Sequence, residues 1–171
     1  TLPLHDALPI SLIYHQLLLT AAGEAAAERV VGLRDHVLIV EGSIPTAFDG
    51  FCCTVWSHGG KEHTAAAAIR SLAATARNVV CVGACASFGG IQAAPPNPTG
   101  AKSVADFLGR PTINVAGCPP HPEWMVWTLV QVLLGRDIEL DDDSRPIALF
   151  RSSVHRACAR RRLPRSTAWG Q

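Results

Sequence analysis

A chain of 171 residues is long enough to bury the core of one domain. Apolar residues make up 48% and charged residues 17%, a balance that suits a compact α/β domain with part of its surface covered by a partner. A net charge of +1 gives no footprint for nucleic acid, so nucleic acid is not among the expected partners. Six cysteines, irregularly placed, do not make a disulfide scaffold at this length.

Residues 1–10 resemble translated sequencing-adapter read-through and are set aside as a non-native leader. Residues 16–31 are rich in Ala, Leu and Glu, with Leu17, Ala21 and Ala25 at helical spacing. His36-Val37-Leu38-Ile39-Val40 reads as a buried strand and stops at Glu41-Gly42-Ser43-Ile44-Pro45, which is loop chemistry. An Ala-rich stretch over 61–77 predicts a helix, and Asn78-Val79-Val80-Cys81-Val82 repeats the strand pattern up to Gly83.

A Gly- and Pro-rich loop is expected from 84 to 100, then a short helix over 103–108. Thr112-Ile113-Asn114-Val115-Ala116 is the third strand-like run, broken by Gly117-Cys118-Pro119-Pro120. Pro122 can open a last helix as its first-turn residue. Helices alternating with continuously apolar strands predict a doubly wound, mostly parallel sheet: a flavodoxin-like or Rossmann-like three-layer α/β domain over residues 11–150.

In open parallel α/β sheets, ligands bind beyond the carboxyl ends of the strands. The three post-strand loops begin with Glu41, with Gly83-Ala84-Cys85 and with Gly117-Cys118. Cys85 and Cys118 are therefore expected on one edge of the sheet, flanked by glycines that let backbone approach a bulky ligand. A free cysteine after a strand is often just a small buried hydrophobe. Two converging thiols, one followed by Pro119-Pro120, favour a metal or cluster site.

The remaining candidates have plainer readings. Cys81, inside a strand, is expected in the core. Cys52 and Cys53 follow a Phe48-Asp49-Gly50 turn and are expected to be packing residues. His58 and His63 flank Gly59-Gly60 and are expected in a loop or at a helix start. Trp124 and Trp127, one turn apart, are expected in the core or against a large partner. Six of the fifteen Lys and Arg fall within 151–165, with no acid from 151 onward.

Five segments carry a family resemblance: Glu41-Gly42-Ser43-Ile44-Pro45; Gly83-Ala84-Cys85-Ala86-Ser87-Phe88-Gly89-Gly90; Pro95-Pro96-Asn97-Pro98-Thr99-Gly100-Ala101; Gly117-Cys118-Pro119-Pro120-His121-Pro122; and Val154-His155-Arg156-Ala157-Cys158. In this order, over roughly residues 11–160, they resemble the small, electron-transferring subunit of nickel–iron hydrogenases. The resemblance implies 4Fe–4S clusters as cofactors. Cys85 and Cys118 match two of four cysteine ligands of the cluster nearest the nickel–iron centre, and Glu41 matches an acid beside it. A carboxylate capping loop amides is the plain alternative for Glu41.

His155 and Cys158 match half of a distal site with one histidine and three cysteines, whereas ligands of a middle cluster have no match here. Residues 151–171 would begin a C-terminal cluster-binding region cut short, and a frameshift near 159–163 would account for its Arg-rich run. With two of four ligands at each of two sites, the chain alone is expected to be inactive.

The implied partners are a large subunit carrying nickel and iron, and an electron acceptor such as a cytochrome or other redox carrier. A periplasmic or membrane-associated setting would follow for the respiratory uptake type. Gly90 stands where oxygen-tolerant members carry a cysteine, which implies ordinary oxygen sensitivity. The rivals are the 20 kDa subunit of respiratory complex I, which shares a Gly-Cys-Pro-Pro motif, and a structural zinc or interaction module. A redox dithiol lacks the two-residue spacing, and a phosphate loop lacks both G-x-G-x-x-G and a Walker lysine.

Overall fold

The computed structural model describes residues 12, 13, 15, 23–153 and 158. Its first helix, α1 (Gly23–Val30), buries Ala26, Ala27 and Val30. Strand β1 (His36–Glu41) follows, then a hairpin of β2 (Thr54–His58) and β3 (Lys61–Thr64). Helix α2 (Ala65–Thr75) leads into β4 (Ala76–Val82), α3 (Gly83–Phe88) and α4 (Val104–Leu108). Strand β5 (Ile113–Val115), α5 (Pro122–Leu133) and α6 (Ile147–Phe150) complete the described elements.

The main sheet is parallel, in the order β1-β4-β5, and β2 and β3 form a separate antiparallel pair. Side chains alternate across β4. Val79 and Cys81 pack with Val40, Ala73, Ala86 and Val104, on the side of α2, α3 and α4. Val80 and Val82 pack with Val115, Trp124, Leu129 and Val132, on the side of α5. That is the expected three-layer α/β arrangement, and it explains why these strands read as continuously apolar. Val80, Val104 and Val115 are fully buried, each contributing about 1.5–3 kcal/mol.

Asn114 is a buried polar residue inside β5, and its hydrogen bonds account for its presence there. Its Oδ1 accepts the Thr112 hydroxyl at 2.8 Å and its Nδ2 donates to the Asp143 carbonyl at 2.8 Å. Its backbone N–H donates to Ser144 O at 2.8 Å, so β5 is tied to the 141–145 turn. That turn is closed by Asp141, whose Oδ2 accepts from Arg145 Nε at 2.9 Å.

Four expectations are corrected. The helix expected over 61–77 begins only at Ala65, because the stretch before it pairs as a hairpin. Gly59 and Gly60 form its turn at φ +58° and +70°, and Thr64 caps α2 by accepting the Ala67 N–H at 3.1 Å. His58 and His63 are therefore strand residues: His63 stacks on Trp56, and His58 Nδ1 lies 2.8 Å from the Glu24 carboxylate.

The loop expected over 84–100 contains α3, ended by Gly89 in the left-handed region, and a single 3-10 turn at Ile91–Ala93. Cys52 and Cys53 are exposed rather than packed. Cys81 is fully buried, as expected, and Pro122 opens α5 behind a His121 cap.

Candidate metal centre

The parallel register sets the strand ends side by side. Glu41 pairs with Val82, and Val82 pairs with Val115, so the last residues of β1, β4 and β5 form one row. Each of the three loops picked out from sequence starts from that row. The loops after β4 and β5 are joined directly, for the Ala84 N–H donates to the Gly117 carbonyl at 2.8 Å. Cys85 and Cys118 each adjoin one partner of that hydrogen bond. The two cysteines, 33 positions apart in sequence, thus share one rim, with Cys85 half-buried and Cys118 exposed.

Glycine is required where the backbone crowds this rim. A Cβ on Gly117, at φ +153°, would stand 2.4 Å from Pro120 Cα and 2.8 Å from Pro120 N. Gly117 therefore allows the tight turn that carries Cys118. A Cβ on Gly90, at φ +64°, would stand 2.5 Å from Cys85 Sγ. The Cys85 thiol donates to Gln92 Oε1 at 3.3 Å. Ser87, two residues on, is buried with a hydroxyl that has no hydrogen-bond partner.

The other sequence motifs gather beside these loops. Ile44 and Lys102 exchange backbone hydrogen bonds at 2.9 and 3.0 Å, and Thr99 O accepts the N–H groups of Thr46 and Ala47. The Thr46 hydroxyl donates to Gly100 O at 2.8 Å, and Asn97 bridges to Ala101 through both its side-chain amide groups. The segment after β1 is thereby held by the 97–102 segment. Glu41, at the end of β1, is exposed.

Among the described residues no three of His, Cys, Asp and Glu stand close enough to hold a metal ion. The donors on the two neighbouring loops are thiols, the chemistry that iron–sulfur ligation uses, and the missing Cβ at Gly90 leaves room at Cys85 Sγ for the Gln92 side chain. These residues fit part of a cluster site. Cys158 is exposed, and His155 and the suspected frameshift at 159–163 lie outside the described residues.

Cys81 stands apart from this chemistry. Burial pushes its thiol up to about 11, offset in part by the Thr112 side chain, so it remains a neutral core group. A cleft of about 810 Å³ lies elsewhere, between Trp127 and Gln131 of α5 and Ile147 and Leu149 of α6. Neither Cys85 nor Cys118 lines it.

Comparison with known proteins gives the chain a family context. Residues 3–132 match the family model described as NADH ubiquinone oxidoreductase, 20 Kd subunit. The chain belongs to this family. Curated relatives that it matches include hydrogenase small subunits.

The periplasmic [NiFe] hydrogenase small subunit 1 of Nitratidesulfovibrio vulgaris is 42% identical, over 88% of this chain and 49% of the relative. The quinone-reactive Ni/Fe-hydrogenase small chain of Wolinella succinogenes is 38% identical, over 89% of this chain and 44% of the relative. Among solved structures, the Ni-Fe-Se hydrogenase of Desulfomicrobium baculatum superposes with a TM-score of 0.80 at 40% identity. That match covers 88% of this chain and 62% of the other. The chain spans about half the length of the curated relatives it matches.

Gln92 is the site residue that sequence reasoning passed over. It lies seven positions after Cys85, and only the left-handed turn at Gly89 and Gly90 returns it to the sulfur.

Proposed function

We propose that this chain is the iron–sulfur electron-transfer subunit of a nickel–iron hydrogenase, with residues 11–150 as its flavodoxin-like cluster-binding domain. In this reading Cys85 and Cys118 hold the 4Fe–4S cluster nearest the nickel–iron centre, with Glu41 beside it. His155 and Cys158 contribute to a distal 4Fe–4S cluster.

The observation that carries the reading is the 2.8 Å hydrogen bond from Ala84 N–H to Gly117 O, which joins the two cysteine-bearing loops at one rim. When bound, such a cluster supplies one-electron acceptance and donation. The chain's own residues fix the sulfur positions and set the polarity around them. No residue here is assigned to hydrogen cleavage, which belongs to the large subunit. Electrons would leave toward an acceptor such as a cytochrome or other redox carrier.

The name of the matching family keeps a complex I-type 20 kDa subunit as the second reading. The Glu41–Pro45 motif, the 93–101 segment and His155-x-x-Cys158 favour hydrogenase. The test is anaerobic copurification of the complete subunit with its large subunit, followed by iron, sulfide and zinc analysis. Cys85→Ala and Cys118→Ala should each remove one cluster's iron and its electron paramagnetic resonance signal. Full iron in both variants, or stoichiometric zinc without sulfide, would overturn the proposal.

A further inference from the structure

We infer that Gln92 is a positioning residue that sets the reduction potential at the Cys85 sulfur by hydrogen bonding to it. The inference rests on the cluster ligation proposed above and extends it to a residue that is not a ligand.

The observation is a contact at the end of an unusual turn. Cys85 lies in α3, which stops at Gly89 with φ +87°, and Gly90 follows at φ +64°. The chain then makes the 3-10 turn Ile91–Ala93, and the Gln92 side chain comes back to 3.3 Å from Cys85 Sγ. Gly90 makes room for this return. A Cβ there would stand 2.5 Å from the sulfur and 2.9 Å from Gln92 Oε1. The same missing side chain thus clears both partners of the contact.

With the thiol protonated, sulfur donates and the amide oxygen accepts. A ligating thiolate has no proton to give, and an amide oxygen against it would be repelled. Rotation about the last side-chain bond exchanges oxygen and NH2 at nearly the same position, so the amide then donates N–H to sulfur. The reduced state carries one more negative charge on the iron and sulfur atoms, and a donor stabilises it more than the oxidised state. Hydrogen bonds to ligating sulfurs are among the factors that raise cluster potentials.

The experiment uses the two-subunit holoenzyme, with Gln92→Met and Gln92→Glu compared with wild type. Methionine keeps approximate length and removes the donor; glutamate keeps shape and replaces the donor with negative charge. Potentiometric titration followed by electron paramagnetic resonance reads the midpoint of the cluster that disappears in Cys85→Ala.

The expected result is unchanged iron and sulfide, with Gln92→Met disfavouring reduction by roughly tenfold, about 59 mV for one electron. Gln92→Glu should shift the midpoint further in the same direction. If one variant fails to assemble, the other gives the shift by itself. Unchanged midpoints in the variants that carry intact clusters would overturn the inference. Absence of any Cys85-dependent cluster in wild type would instead overturn the ligation proposal beneath it.

Discussion

The Cys85 sulfur occupies the space that a side chain at Gly90 would need: a Cβ there would lie 2.5 Å from it. Gly90→Ala is therefore expected to displace the thiol as well as strain the backbone. Gly109 is the comparison for positive φ without a clash: it has φ +64° and ψ +30°, with nothing within 4 Å of a Cβ. Backbone strain of about 1–3 kcal/mol is expected in both alanine variants, and more of it at Gly90, whose ψ of −161° lies where essentially only glycine goes. Only Gly90→Ala should also lower the iron content of the cluster that depends on Cys85. Equal iron loss in both variants, measured on the anaerobic holoenzyme, would show that the contact with sulfur is immaterial.

Gly117 faces a harder obstacle, since its nearest neighbours are backbone atoms of Pro120 and Pro119 rather than a mobile side chain. Gly117→Ala should cost about 3 kcal/mol or more. Thermal unfolding should register this as a fall of roughly 10 °C for a domain of this size. A Cβ on Gly83 would meet only the Gly117 carbonyl, at an ordinary 3.6 Å. Gly83→Ala, at φ +92°, carries backbone strain without the clash and should lose less, and a melt that ranks the two variants in the opposite order would refute the packing argument.

These two glycines also show how far the sequence could be read. β4 and β5 were legible because both faces of each are largely packed, leaving Val79, Val80 and Cys81 in an unbroken apolar run; β1 is apolar too, but only Val40 is buried there and Ile39 is exposed, so its expected burial is corrected. The rim was legible too, because strand ends and glycine-flanked cysteines follow from local pattern. The β2–β3 hairpin was harder to see: Lys61, Glu62 and His63 precede an Ala-rich helix and merge with it on composition. Gly59-Gly60 between two short runs was the available signal, as a two-residue hairpin turn. Helix α3 has six residues bracketed by glycines, too few for periodicity to register. Gln92 was invisible because its meeting with Cys85 depends on two successive positive φ values, which composition does not encode.

Cys81 should be chemically silent where the exposed thiols are not. In folded protein at neutral pH, iodoacetamide should modify Cys52 and Cys53 and spare Cys81. The same burial gives a stability change with a definite sign. Its folded-state value, about 11, lies above the ordinary value of 9.0, so between them the unfolded chain loses the proton first. The contribution of Cys81 is fully present below about 9 and is lost as pH rises through about 11. Denaturant titrations from pH 8 upward should therefore show stability falling in wild type more steeply than in Cys81→Ala, whose starting stability is lower. Parallel slopes would contradict the assignment.

Thr64 tests whether the helix leading into the cysteine-bearing strand can be weakened without touching the rim. Its hydroxyl accepts the Ala67 N–H at 3.1 Å, and the residue is buried at the junction of β3 and α2. Thr64→Ala should cost about 1 kcal/mol by leaving a helix N-terminal donor unpaired, and Thr64→Ser should restore most of it. Gly50 packs close by, with a Cβ position 3.1 Å from Thr64 Oγ1, so alanine there also leaves a small void. Helix α2 runs into β4, but the Ala84–Gly117 hydrogen bond that joins the cysteine loops lies at the far end of that strand. The expected outcome is a lower denaturation midpoint for Thr64→Ala with full iron content in the protein that remains folded. Loss of cluster iron at undiminished stability would mean that the cap acts on the rim directly, contrary to the separation of fold stability and sulfur placement argued here.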